Sequence, residues 1–126
     1  MSSLRFNPQS EGIILDVVLE GKITLHVRMV LDTGASLVVL PWRIATGLGL
    51  KIDPKNLVQT TTATTVESAP LSVIPKVTVL GKSVRNVRCL VKDLPPESAV
   101  DGLLGLSFLR NFDLFLYFKK GILQLE

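Results

Sequence analysis

The chain has 126 residues, a size that suits one domain, and 47% of them are hydrophobic, enough for a packed core and too many for a disordered tail. The formal net charge is +3, but the basic residues are scattered, only Lys119 and Lys120 being adjacent, and no aromatic residues interleave with a basic run, which argues against nucleic-acid binding. A single cysteine, Cys89, rules out an internal disulfide and sits in an apolar run, where a buried, inert thiol is expected.

Residues 1–8 lack the apolar stretch of a signal peptide. No run of about 18 uncharged apolar residues is present to span a membrane. A cytoplasmic location with no membrane partner is the expectation. Alternation then dominates the first third of the chain. Ile13, Leu15, Val17 and Leu19 share one strand face, and Glu20-Gly21 supplies a tight turn. Ile23, Leu25, Val27, Met29 and Leu31 share the next face, with Thr24, His26 and Arg28 pointing away. This half-buried hairpin runs straight into Asp32-Thr33-Gly34.

Residues 37–40 form a short buried strand, and Pro41 suits the first position of a helical turn over residues 42–46, ended by Gly47 and Gly49. Trp42 is read as packing on the barrel. Residues 57–66 are rich in threonine and read as an exposed hairpin. Residues 73–80 and 84–91 form a strand pair around Gly81-Lys82, and Pro95-Pro96 breaks the chain. The glycine-punctuated stretch 100–105 leads to a predicted helix over residues 106–112. Residues 113–118 alternate again, Lys119-Lys120-Gly121 turns, and residues 122–125 close with a strand. Leu103, Leu104, Phe108, Phe112 and Phe115 are the expected late-chain core. Nearly every element is a strand, so the fold class is all-β, a barrel or sandwich in one domain spanning residues 1–126.

The chemistry narrows by exclusion. His26 is the only histidine and lies on the polar face of a strand, so a Ser-His or Cys-His nucleophile pair has no base to draw on, and one His with one Cys cannot hold a metal. No Walker or dinucleotide glycine pattern occurs. No metal and no cofactor are expected. Among the carboxylates Asp32 stands apart. It lies between two apolar strands, where a charged group needs hydrogen bonds to offset desolvation. Gly34, with no Cβ, lets backbone N–H groups approach the carboxylate, and Thr33 and Ser36 carry hydroxyls.

The run Val30-Leu31-Asp32-Thr33-Gly34-Ala35-Ser36-Leu37-Val38-Val39-Leu40 closely resembles the aspartic peptidase clan. A single copy of the motif in a short chain is similar to its retropepsin-like branch, of the single-domain bacterial type. A second landmark agrees: Leu103-Leu104-Gly105 precedes Leu106-Ser107-Phe108, as two hydrophobic residues and a glycine precede a helix in that family. The resemblance covers residues 12–125. It implies a closed, mostly β retropepsin-like barrel with one short C-terminal helix, and an aspartic endopeptidase activity in which Asp32, Thr33, Gly34, Ala35 and Ser36 form the catalytic loop. It implies that Thr33 braces a symmetry-related loop and that Ser36 hydrogen-bonds the carboxylate. It also implies a substrate-binding flap at Thr62, Ala63, Thr64, Thr65 and Val66. Flaps of the family carry a tip glycine, and this stretch has none.

One Asp-Thr-Gly supplies half of a two-carboxylate site, so the resemblance implies a homodimer with Asp32 opposite its own copy, acting on an extended peptide or an unfolded protein. By the same resemblance residues 122–125 pair across the dimer, joined by an N-terminal arm within residues 1–11. Asp101 is read as a chain-turning residue rather than the second carboxylate. Two other readings compete. A phosphate-binding loop of the actin or sugar-kinase type needs a second phosphate loop and a longer chain. A retropepsin-like dimerisation or peptide-binding module without catalysis keeps the fold and drops the chemistry.

Overall fold

A computed structural model of the chain describes residues 2–61 and 64–126. Ten strands and two short helices occur among them: β1 (Ser2–Arg5), β2 (Ile14–Glu20), β3 (Thr24–Leu31), β4 (Val38–Leu40), α1 (Trp42–Gly47), β5 (Leu57–Thr61), β6 (Val66–Val79), β7 (Lys82–Val91), β8 (Gly102–Leu104), α2 (Leu106–Leu109), β9 (Leu114–Tyr117) and β10 (Ile122–Leu125). The strands run in the order β2-β3-β8-β4-β7-β6, and β6 returns to pair with β2, so six strands close a barrel. Closure removes the exposed edges that an open sheet of this size would present. The all-β expectation holds.

The alternation read from the sequence is what fills the barrel. Leu15, Val17 and Leu19 of β2 and Val27 and Met29 of β3 point inward with Ile74, Val77, Val79, Val87 and Cys89. His26, one residue out of phase with Val27, faces solvent. Ile23 departs from the pattern and is 49% exposed. The hairpin loop occupies residues 21–23, so Ile23 sits at the tip, beyond the reach of the core. The later turn also falls one residue early. Val79 pairs with Lys82, so Leu80 and Gly81 form the two-residue loop, both with positive φ (50° and 77°). That turn matches the twist of its strands well enough to hold a leucine in the left-handed region.

Two contacts fix the late chain. β8 lies parallel to β3, with Val30 opposite Leu103 and Leu31 opposite Leu104. α2 follows at once and ends at Leu109, shorter than the span to Phe112 read from the sequence; its exit tightens through hydrogen bonds from Asn111 N–H to Phe108 O and from Phe112 N–H to Leu109 O. Phe108 is fully buried and Phe112 packs on its ring at 5.2 Å. On the same helix the Ser107 hydroxyl donates to Arg88 O at 2.7 Å and accepts from Val38 N–H at 2.9 Å. One side chain thus ties α2 to both β4 and β7.

A second sheet, β1-β10-β9, packs on the barrel through Leu4, Leu114, Leu116, Leu123 and Leu125. The expectation that residues 122–125 pair across a dimer needs correction. β10 pairs with β1 on one side and β9 on the other, so both of its edges are taken within the chain. Phe115 also departs from the expected core and is 39% exposed. With Leu114 and Leu116 facing inward, the two-residue period of β9 turns Phe115 and Tyr117 outward. Trp42, expected to pack on the barrel, is 42% exposed, because α1 buries Ile44 and Ala45 and its first residue lies off that face.

Two outcomes check this packing. Ser107→Ala leaves the buried Val38 N–H and the Arg88 carbonyl without their shared partner, and should lower stability by about 1–3 kcal/mol in urea unfolding; an unchanged midpoint contradicts the bridging role. Burial pushes the Cys89 thiol from its ordinary 9.0 up to about 12, outweighing the lowering effect of its backbone hydrogen bond at Ser72. The folded thiol therefore keeps its proton where the unfolded one loses it. Alkylation by iodoacetamide at about pH 8.5 should be at least about 100-fold slower in the folded chain than in denaturant. Stability should fall as pH climbs from about 9 toward 12, where only the unfolded state releases that proton. Rapid labelling of the folded chain contradicts the burial.

Candidate active site

Asp32 follows directly on β3 and opens a loop that ends where β4 begins. Its N–H donates to Leu104 O at 3.1 Å, which continues the β3–β8 pairing by one residue and sets where the carboxylate emerges. The loop then folds back on itself. Ala35 N–H donates to Asp32 O at 3.2 Å, and Gly34 N–H donates to Asp32 Oδ1 at 3.0 Å. This is the close backbone approach that calls for a glycine at position 34: a Cβ there would lie 3.3 Å from the same carboxylate oxygen. Leu106 N–H, at the start of α2, donates to Ala35 O at 2.9 Å.

The loop rests on Gly105. A Cβ at that position would stand 2.7 Å from Ala35 O and closer still to Leu37 O. Only glycine lets the β8–α2 junction and the Asp32 loop lie against each other, which explains why the two landmarks occur together in one sequence. Gly102, at the start of β8, is constrained in the same way, because a Cβ there would collide with Val39 O.

Asp32 is half-buried, while Thr33, Gly34 and Ser36 are exposed to differing degrees and Ala35 lies between them on the same loop. Ser36 is exposed, and among the described residues the hydrogen bond to the carboxylate comes from Gly34. Among those residues Asp32 makes no ion pair. Asp101 is not its companion. The Asp101 carboxylate accepts Arg28 N–H at 2.9 Å and meets Arg43 at 3.3 Å. It sits at the Arg28 level of β3, four residues before Asp32, about 13 Å along the strand.

The stretch expected as a flap lies in a hairpin, β5 paired with the first half of β6, with Thr61 opposite Val66. Of the expected flap residues, Val66 is 62% exposed, Thr64 and Thr65 lead into it, and Thr62 and Ala63 lie outside the described residues. Its base is anchored by an apolar cluster in which Val58 and Ala69 join Val39 and Leu90 and touch Leu37 and Leu103. The same cluster therefore links the flap base to the strand leaving the Asp32 loop. Lys92 and Glu67 add an ion pair at its foot.

A recess of about 750 Å³ lies elsewhere, between Lys22, Leu48, Lys51, Leu71 and Arg88. A smaller one of about 260 Å³ contains Thr33 with Phe6, Leu116 and Phe118. Asp32 lines neither recess, although its neighbour Thr33 lines the second. Ser107 and Gly105 are the supporting residues that the sequence marks least clearly. Gly105 is legible from the second landmark, and a lone serine in the apolar run 103–109 is the only signal for Ser107.

Comparison with known proteins agrees with this geometry. The family model described as aspartyl protease matches residues 15–108. A search of curated proteins finds no match. Among solved structures, the chain is similar to a retropepsin-like aspartic protease from Rickettsia conorii, with a TM-score of 0.68 and 23% identity over 98% of this chain and 87% of that one. It is also similar to the retroviral protease-like domain of Ddi1 from Leishmania major, with a TM-score of 0.58 and 15% identity over 94% of this chain and 90% of that one. At these identities the solved structures speak for the fold, which is retropepsin-like, and the family match speaks for descent. The chain belongs to the aspartyl protease family.

Proposed function

We propose that the chain is an aspartic endopeptidase whose active site forms when two copies bring their Asp32 carboxylates together. The observation that carries this reading is the placement of Asp32: a half-buried carboxylate on a loop braced by Gly34, Leu104 and Gly105, with Asp101 tied instead to Arg28 and Arg43, four residues back along β3. Peptide hydrolysis without a metal or a covalent intermediate needs one carboxylate to take a proton from the attacking water and a second, protonated, to donate to the carbonyl oxygen. Two carboxyls about 3 Å apart share one proton because both cannot ionise there, an effect for which aspartic proteases are the standard example. The proton belongs to the pair rather than to either residue.

In this reading Thr33 and Gly34, on the open side of the loop, meet the partner loop. The flap closes over an extended peptide, with Val66 and its neighbours on the roof and the Asp32 loops on the floor. Backbone pairing to the flap would hold the substrate as an added strand, with alternate side chains in opposite pockets.

Asp32→Asn is the direct test. The amide keeps the shape and the Gly34 hydrogen bond but cannot accept the proton. Cleavage of an unfolded protein, followed between about pH 3 and 7, should fall at least about 100-fold at every pH. Wild-type activity in the variant contradicts the reading. A transition-state analogue of the statine type should inhibit the active chain; binding without any cleavage by the wild type would favour a peptide-binding module instead.

A further inference from the structure

The recess of about 750 Å³ collects three cations from three separate elements: Lys22 in the loop between β2 and β3, Lys51 beyond α1, and Arg88 on β7. Elsewhere Arg43, Lys76 and Lys92 each meet a carboxylate, but among the described residues these three form no ion pair. Asp53 is the one carboxylate in the lining, and it accepts Lys55 N–H at 2.9 Å, so positive charge is in excess there. Lys22 is seated by contact. A Cβ on Gly49 would stand 2.5 Å from Lys22 Cδ, so the aliphatic stem lies tight against that glycine while the residue as a whole stays exposed. Leu71 and Val73 add apolar surface, Val73 being 46% exposed.

The same recess exposes a break in the pairing of β6. On one edge β6 pairs with β7 from Leu71 to Val79. On the other, residues 66–70 pair with β5 and residues 76–79 with β2, which leaves 71–75 between them. Leu71 N–H reaches Asn56 O at 3.0 Å, and the Ser72 hydroxyl donates to Lys51 O at 2.7 Å, which holds Lys51 beside the break. Val73 stands opposite Arg88, whose carbonyl turns away from β6 to accept the Ser107 hydroxyl at 2.7 Å, so the two form a non-hydrogen-bonded pair. The N–H and C=O of Val73 therefore point into the break, where no strand meets them among the described residues. Pro75, two residues on, adds a carbonyl with no N–H.

We propose that this recess binds an extended acidic segment of another polypeptide, at a site separate from Asp32. The segment adds to β6 as a short strand through Val73, and its carboxylates meet Lys22, Lys51 and Arg88. The free backbone groups select a polypeptide, and the unpaired cations select acidic side chains over basic ones. The occupant comes from outside. None of the 11 Asp and Glu residues lies within three positions of another, so neither this chain nor a second copy offers an acidic run. The site uses none of the residues assigned to peptide cleavage. It does share a strand with the expected flap, since β6 continues from the recess into the hairpin at residues 66–70.

The probe is a fluorescein-labelled, end-capped peptide of alternating glutamate and valine, titrated against the whole chain carrying Asp32→Asn so that cleavage does not enter. Fluorescence anisotropy should show saturable binding that weakens as salt is raised. Lys51→Glu with Arg88→Glu should weaken it at least about tenfold, and the matching lysine-valine peptide should not bind. Methylating the backbone nitrogens along one edge of the peptide should abolish binding, and along the other edge should spare it, because only one edge meets Val73. Circular dichroism should show the double variant folded; if it is not, Lys51→Gln alone serves, with a smaller shift in the same direction. Equal affinity in the charge-reversed chain overturns the site, as does a lack of saturation by about 1 mM peptide. Methylation of either edge with the same effect overturns the strand pairing. Oligothymidylate competing as well as the unlabelled peptide would mean a general anion site and overturn the choice of a polypeptide. Because binding is read without cleavage, its failure and a failure of the peptidase reading appear separately.

Discussion

The contact between the Asp32 loop and Gly105 organises the rest of the molecule. Two backbone segments far apart in sequence, residues 32–37 and 104–106, lie so close that a single methyl group at Gly105 would collide with two carbonyl oxygens. The closeness exists because β3 and β8 run parallel and end together, and because Asp32 and Leu106 each donate a backbone hydrogen bond across the junction. Every larger feature serves that junction. The barrel closes around it through β2 and β6, α2 is seated behind it by Ser107, and the flap base reaches it through Leu37 and Leu103. A carboxylate positioned this way is held by backbone geometry rather than by a charged partner.

In the proposed reading each chain supplies half of the site. The loop leaves Thr33 and Gly34 exposed and Asp32 half-buried, while the recess of about 750 Å³ lies elsewhere. A single-chain enzyme usually walls its reactive group inside a cleft. The terminal sheet comes close to this loop, where Leu116 and Phe118 share a recess with Thr33.

Much of this is legible in the sequence because barrel strands carry a strict two-residue period. Leu15-Val17-Leu19 and Val27-Met29 report their own burial, and the glycines at 34 and 105 mark where backbones must approach. The departures have physical causes. Ile23 continues the period but lies beyond the last pair of its hairpin. Phe115 belongs to an alternating run whose phase is set by Leu114 and Leu116, so its large ring sits on the outer face although its size suggests core. The pairing of β10 cannot be read from residues 122–125 alone, since a short apolar strand says nothing about which neighbour takes each edge. Ser107 is hidden for a different reason: its value lies in two backbone groups, Val38 N–H and Arg88 O, that no side-chain pattern reveals.

The central claim is that one active site is built from two chains. Mixing wild-type chains with inactive Asp32→Asn chains, unfolding and refolding them together, tests it most directly. If each site needs an aspartate from both copies, activity follows the square of the wild-type fraction, and an equal mixture retains about one quarter of the starting activity. An equal mixture that retains about one half would mean that each chain carries a complete site, and would contradict the account.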